Sequence, residues 1–450
     1  MKTLNATHHS AVQYMGFDCD VLHYGSTWNP YSVIPSYEER IPITWHTIPQ
    51  TLVYWAPFYL MAYLVRRADT HVLRLLLLPI VLSTAAYCMY WFKVEDPRLA
   101  TLEWGRAFMT IVVVAKSLDF AFARKGRFKV GEEYLPPLGS PAKSKTASSE
   151  GNGHAHPSGP QYRMLPQWFI DASEVIFTMR GIGWDFGKGV YVPKESRPLE
   201  RGPFLRTTVL SMIYNYLVID VLNSFFKLVP RVGTYHGGSI FLPELSPLRR
   251  YALSSAIHLA TGFIIQYGMD ICNDIATLIA VGLMGQSPEQ WPPVQDRPWK
   301  ATSLHDYWGK RWHQSLRQVF LVFGGRIGGW LVGPPGMVLG SFFASGMYHE
   351  VGMHMSDHRV TLFFLLQGAG IILEGLWKKT TGKPVGGVVG WIWTAFFVLV
   401  IGQISTDAWA IQGLIGGLIV PYPLSVTRRV LFPAARSLLN LYRSVYGGSH

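Results

Sequence analysis

The chain has 450 residues, of which 49% are hydrophobic, 14% aromatic and only 15% charged, and its formal net charge is +12. Soluble domains carry about 25% charged residues, so this composition excludes an ordinary water-soluble domain and points to a polytopic membrane protein. The basic residues stand in loops between apolar segments, among them Arg66, Arg67 and Arg74, then Arg124, Lys125, Arg127 and Lys129. Arg249, Arg250, Arg428 and Arg429 follow the same pattern, which fits positive-inside topology and anionic lipid rather than a nucleic-acid surface.

In chain order, residues 1–48 are polar, aromatic and Pro-containing and read as an N-terminal interfacial segment; they lack the compact apolar core of a signal peptide. Residues 49–122 form a first transmembrane cluster, with apolar windows at 50–65, 73–92 and 105–122. A basic loop covers 123–202. Its middle, SPAKSKTASSEGNGHAHPSGP at 140–160, is too poor in apolar residues to bury a core and reads as disordered, with His154 and His156 in solvent. The loop regains order at 167–190, where a helical stretch ends in the Gly-rich turn RGIGWDFG. That turn lacks the GxGxxG spacing of a dinucleotide loop, and no strand precedes it.

A main transmembrane core spans 203–427, with windows at 204–226, 252–284, 316–333, 335–350, 360–377, 386–404 and 408–424; a basic C-terminal tail follows at 428–450. Each window approaches the roughly 20 residues that cross a bilayer. Within lipid the backbone must satisfy its own hydrogen bonds, and no ten-residue alternation suggests a barrel. The expected fold is therefore all-α, with about eight to ten transmembrane helices, some of them tilted or re-entrant. Cys19, Cys88 and Cys272 are scattered, without metal-ligand spacing or the makings of a disulfide framework.

Two segments concentrate reactive groups: WPPVQDRPWKATSLHDYWGKRWHQ at 291–314 and SGMYHE at 345–350. Ionisable residues at membrane depth are costly, which makes them functional candidates. If 303–318 is helical, Asp306 and Lys310 share one face, Trp308 and Trp312 another, and His313 and Arg317 a third. An amphipathic surface helix with Trp anchors accounts for the Trp, Lys and Arg residues. It does not account for two histidines beside an Asp, or for the helix-breaking WPPVQDRP ahead of them. In the second segment, Gly340, Ser341, Ala344, Ser345 and Gly346 allow close helix packing or leave room for a substrate. His349 in this apolar setting either bonds a neighbour or accepts a proton from an alcohol, since imidazole titrates near neutrality. Glu350 is a candidate to orient a neighbour, and His354 faces the boundary.

The string WPPV-DRPW-ATSLHDYWGKRWHQ followed by SGMYHE resembles the wax-synthase-like branch of the membrane-bound O-acyltransferase family. The likeness covers about residues 165–425, and RGIGW at 180–184 is similar to fungal members. The resemblance implies a helical membrane chamber in which an acyl group passes from acyl-CoA to a hydroxyl. The family's hallmark histidine falls on His349, as general base. Its second polar position falls within 305–313, where His305, Asp306 and His313 are the candidates. Plant wax synthases usually end this motif in RRWN, whereas this chain has His313 at the matching place. His313, with Asp306, is expected to orient the centre or stabilise the oxyanion. Lys300, Lys310, Arg311 and Arg317 are the cations available to the CoA phosphates, and Trp308, Trp312, Ser345 and Tyr348 are expected to line the chamber. No Ser or Cys stands next to a base, so no acyl-enzyme is expected.

The same resemblance implies no metal and no tightly bound cofactor, with acetyl-CoA as co-substrate. The fungal form of the motif implies acetyl transfer to a terpenoid or meroterpenoid alcohol in the endoplasmic reticulum membrane. Long-chain wax ester synthesis is one alternative, and a non-enzymatic transporter or scaffold is another.

Overall fold

The computed structural model describes residues 34–132, 166–355 and 357–446; the low-complexity middle at 140–160, with His154 and His156, lies outside them. A minimal parallel pairing joins β1 (Ile41–Pro42) to β2 (Phe92–Lys93). Among the described residues, everything else that is regular is helical. The first group is α1 (Trp55–Leu64), α2 (His71–Tyr90), α3 (Ala100–Phe122) and α4 (Gln167–Phe177). The main body contains α5 (Arg201–Phe226), α6 (Pro247–Leu283), α7 (304–311), α8 (317–332), α9 (Pro334–Gly352), α10 (Arg359–Thr381) and α11 (Gly387–Ile411), and α12 (Phe432–Tyr446) closes the chain.

Five of these helices, α2, α5, α6, α10 and α11, are long and apolar enough to cross a bilayer. Their outer faces expose large apolar side chains such as Leu76, Ile80, Leu210, Leu283 and Val388. Polar groups are turned inward instead. Asp119 on α3 accepts from Arg127, Gln318 and Arg326, and Asp407 on α11 accepts from Ser239, the Ile240 backbone and Arg359. Apolar outside and paired polar groups inside is the arrangement a lipid solvent requires. The protein is an all-α polytopic membrane protein.

The basic first group is held by buried arginines. The Arg66 guanidinium, almost wholly buried, bridges Glu132 at 2.7 Å and Glu174 of α4 at 2.9 Å. Arg74 of α2 donates to the carbonyl oxygens of Phe120 and Ala123 at the end of α3. The α3 helix then packs against α9 in the main body.

The hairpin α8–α9 is built on glycine. A Cβ added at Gly324 or Gly328 would overlap the carbonyl oxygen of Gly340 or Gly336 across the interface, and the converse holds for Gly336 and Gly340. Small residues four apart on both helices thus let the two backbones touch, which is how apolar helices gain contact where lipid removes the hydrophobic drive. α9 also packs tightly on α10, with Gly346 against Thr361 and Gly368 against Phe342.

Two expectations change. The apolar window 408–424 is not a further helix: α11 runs through 386–404 and on to Ile411, and residues 412–421 then form turns. The glycines of that stretch explain why. Gly413 and Gly416 lie against the backbone of Thr234 and Tyr235, where a Cβ would overlap a carbonyl oxygen. Nor is 303–318 a continuous helix. α7 ends at Arg311, Trp312 is extended, and helix resumes at Arg317.

Candidate active site

His349 sits near the C-terminal end of α9. Its Nδ1 lies 2.6 Å from the carbonyl oxygen of Ser345, one turn back. A carbonyl oxygen can only accept, so Nδ1 carries the proton, and in the neutral ring Nε2 keeps its lone pair. The ring stacks on Phe364 of α10 at 4.8 Å and 20°, with Tyr348, Phe108 and Trp409 further around it at 5.3 to 6.0 Å. Ser345, Tyr348 and Glu350 are buried, whereas His349 is only half-buried. Ser345 thus serves the site through its carbonyl. Tyr348 turns away toward α3 and α8: it stacks on Phe108, meets Phe320 and donates to the Phe108 carbonyl at 3.5 Å.

The second histidine is on the segment after α7, and borrowed side chains hold that segment in place. Ser303 caps α7 by accepting from the Asp306 backbone at 2.9 Å. The Glu374 carboxylate of α10, also buried, accepts from the backbone N–H of Leu304 (2.6 Å) and His305 (3.0 Å) and from the Trp393 indole (3.0 Å). Three donors, two of them at a helix N-terminus, are what an ionised carboxylate needs once water is gone. After Asp306 the helix widens to a π turn, and the Trp312 N–H closes it on the Tyr307 carbonyl at 2.7 Å. The Gln314 amide donates to the carbonyls of Trp308 (2.6 Å) and Trp312 (3.0 Å), so the broken helix end is satisfied.

One face of α10 registers both histidines. Gln367 accepts from the Trp308 indole at 3.0 Å and donates to the Phe397 carbonyl at 3.0 Å. Phe364 touches Trp308 and stacks on His349. Gly370 admits the Leu304 side chain, which a Cβ would displace, and Glu374 holds the start of α7. Trp312 stacks on Tyr307 at 5.7 Å and 12°, and the His313 ring lies 5.5 Å from the Trp312 ring. His313 lies within electrostatic reach of His349, and its Nδ1 is buried without a partner.

The remaining expected site residues fall elsewhere. Asp306 is paired with Arg311 at 2.6 Å and not with a histidine, and Arg311 also donates to the Asp296 carbonyl at 3.1 Å. Both are therefore engaged in fixing the loop, which departs from the expectation that Asp306 acts with His313 on the reacting centre and that Arg311 meets the CoA phosphates. The His305 ring is exposed; what its residue supplies is the N–H bonded by Glu374. Lys300 and Lys310 are exposed, and Arg317 is half-buried at the start of α8.

The 178–200 stretch straps the loop from outside. Arg180 of RGIGW donates to the carbonyls of Pro292 (2.6 Å) and Pro293 (2.7 Å), and burial together with nearby Arg197 lowers its pKa to about 10, so it stays charged. The Tyr191 hydroxyl donates to Asp296 at 2.7 Å and holds that carboxyl below its usual range, with Arg311 adding to the effect. Among the described residues, no group of three His, Cys, Asp or Glu side chains is placed to hold a metal.

Reading the residues alone missed Gln314, Gln367, Glu374, Phe364 and Trp409. Gln367 and Glu374 are seven residues apart within an apolar run, so they share a helix face and are costly in lipid; that signal was present in the sequence.

These elements define a membrane protein in which α7 is held on α10, whose Phe364 also stacks on His349 of α9. Residues 291–366, which contain both histidines, match the family model described as "Membrane bound O-acyl transferase family". It is similar to the acetyltransferase eriL of Hericium erinaceus, 24% identical over 58% of this chain and 71% of the relative. It is similar to the acetyltransferase aurG of Calcarisporium arbuscula, 24% identical over 44% of this chain and 55% of the relative. A probable long-chain-alcohol O-fatty-acyltransferase 7 of Arabidopsis thaliana is 35% identical, over 24% of this chain and 36% of its own length. No solved structure matches the chain.

Proposed function

We propose that the protein is an acyl-CoA-dependent O-acyltransferase of the endoplasmic reticulum membrane that transfers acetyl from acetyl-CoA to a hydroxyl of a terpenoid or meroterpenoid. The observation that carries the chemistry is the bond from His349 Nδ1 to the Ser345 carbonyl, which reserves the Nε2 lone pair for a substrate proton. The choice of acetyl rests on the names of the fungal relatives.

An alcohol enters from the lipid side and acyl-CoA from the aqueous side. His349 takes the hydroxyl proton as the oxygen attacks the thioester carbonyl. His313 orients the centre or stabilises the oxyanion, a contribution of about 3 kcal/mol for a well-aimed donor. Lys300, Lys310 and Arg317 remain the cations available to the CoA phosphates, since Arg311 is engaged by Asp306. Transfer is direct, without an acyl-enzyme.

Long-chain ester synthesis is the second reading. It is favoured by the higher identity of the short match to the Arabidopsis protein.

The test offers membranes containing the protein acetyl-CoA or palmitoyl-CoA, each with a terpenoid alcohol mixture and with a long-chain alcohol, and reads ester products by mass spectrometry. A gain of one acetyl group on a terpenoid, lost in the His349→Ala variant, is the expected result. Palmitoyl esters of the long-chain alcohol in place of it would establish the second reading, and no ester in any pairing would contradict both.

A further inference from the structure

Trp409 lies near the end of α11 and is 8% exposed. Its indole Nε1 is buried and has no hydrogen-bond partner. An indole N–H can donate but not accept, and buried donors are normally paired, so an orphan of this kind calls for a reason. Packing does not supply one. The indole belongs to an apolar cluster with Met353, Phe363 and Phe364, where a phenyl ring would fill space at no polar cost.

Position supplies a reason. The Trp409 ring is 6.0 Å from the His349 ring, tilted by 34°. His349 Nε2 has its lone pair free, and His313 Nδ1 is a second buried nitrogen without a partner. The Trp409 ring thus brings an unmet donor next to the ring whose Nε2 has its lone pair free. The turn that carries Trp409 is held firmly. Two residues earlier, Asp407 accepts from Ser239 Oγ (2.7 Å), the Ile240 N–H (2.9 Å) and Arg359 (2.7 Å). Hydrogen bonds of about 3 Å at each ring, joined by a reacting separation of about 3–3.5 Å, are long enough to bridge two rings so placed.

We infer that Trp409 is a further catalytic residue, whose Nε1–H donates to the acyl carbonyl oxygen as it becomes an oxyanion. The inference rests on the reading of His349 as general base. In the step, the alcohol oxygen forms a bond to the thioester carbon while His349 Nε2 takes its proton. The carbonyl π electrons move onto oxygen, where Trp409 meets them. Collapse reforms the carbonyl and breaks the C–S bond, and the CoA thiolate leaves with the proton from His349. One ester and one CoA thiol result, with no oxidant or reductant. A donor that gains strength as charge develops acts on kcat more than on KM.

The test replaces Trp409 with 3-benzothienylalanine, an isostere in which sulfur takes the place of N–H, and uses Trp409→Phe as a second, simpler variant. Rates are measured in membranes with acetyl-CoA and the acceptor found above, normalised to folded protein. Removing one oxyanion donor costs about 10²–10³-fold in kcat. A loss of that order with KM unchanged to about twofold is expected. Retention of kcat within about threefold by either variant, or a loss confined to KM, overturns the assignment. Wild type and His349→Ala run alongside separate the two failures. An active wild type, an inactive His349→Ala and a fully active isostere would reject Trp409 alone, whereas an inactive wild type, or an active His349→Ala, would reject the underlying reaction.

Discussion

The two histidines are positioned by opposite means. His349 is carried by an uninterrupted helix, and its ring is set by a bond to its own backbone one turn back. Glycine contacts with α8 fix the helix itself. His313 is carried by a segment with no continuous helix, in which almost every anchoring bond comes from a side chain: Ser303, Glu374, Gln367 and Gln314. The first histidine's ring is set within its own helix, whereas the second histidine's segment depends on side chains of α10. The proposed pair thus combines a member set by its own helix with one whose position is set by α10.

The largest effect is expected where nothing else can substitute. His349→Ala removes the proposed base, and general-base loss costs about 10²–10⁴-fold. The kcat of membranes normalised for folded protein should fall by at least about 10² while membrane insertion is unchanged; activity within about threefold of wild type would reject the base.

Glu374→Gln probes the dependent member. The amide keeps one acceptor oxygen and turns its NH₂ toward the other backbone N–H, which then lacks a partner. The segment shifts, and small misplacements of catalytic groups are expensive. A fall of about tenfold in kcat is expected, with little change in acyl-CoA KM. If the loss appears only as reduced protein, with normal turnover per folded molecule, Glu374 supports the fold and not the site.

The smallest effect concerns the outer strap. Asp296 has a folded-state pKa held below its unfolded value, first by Tyr191. Its contribution is therefore present above the ordinary carboxylate pKa of about 4 and is lost as pH falls through the lower folded value. Limited proteolysis within 284–303 should be slow at neutral pH and accelerate in acid, and Asp296→Asn should weaken that pH dependence. An unchanged acid response in the variant would place the sensitivity elsewhere.

Much of this was legible in the sequence, and the gaps have physical causes. Composition and apolar windows predict a helical membrane protein, and small residues before an isolated His349 predict a closely packed, reactive helix. Continuous periodicity through 303–318 predicts one helix, but a π turn and the Gln314 amide end it at Arg311; amide capping from two residues downstream leaves no periodic trace. The i,i+4 rule pairs Asp306 with Lys310, yet the wider turn delivers Arg311 instead. Apolar character at 412–421 suggests a span, whereas glycines meeting the Thr234–Tyr235 backbone make it a packed loop. Tertiary choices of this kind, and the partnership of Glu374 with α7, depend on which chain segments meet.

The claim that both elements form one catalytic unit is tested most directly by a double-mutant cycle on His313→Ala and His349→Ala, measured as kcat for ester formation with acetyl-CoA. Residues that act together are strongly non-additive. The double variant should be no slower than His349→Ala alone, to within about threefold. Losses that multiply would show two independent contributions and contradict a single centre built from a fixed histidine and a positioned one.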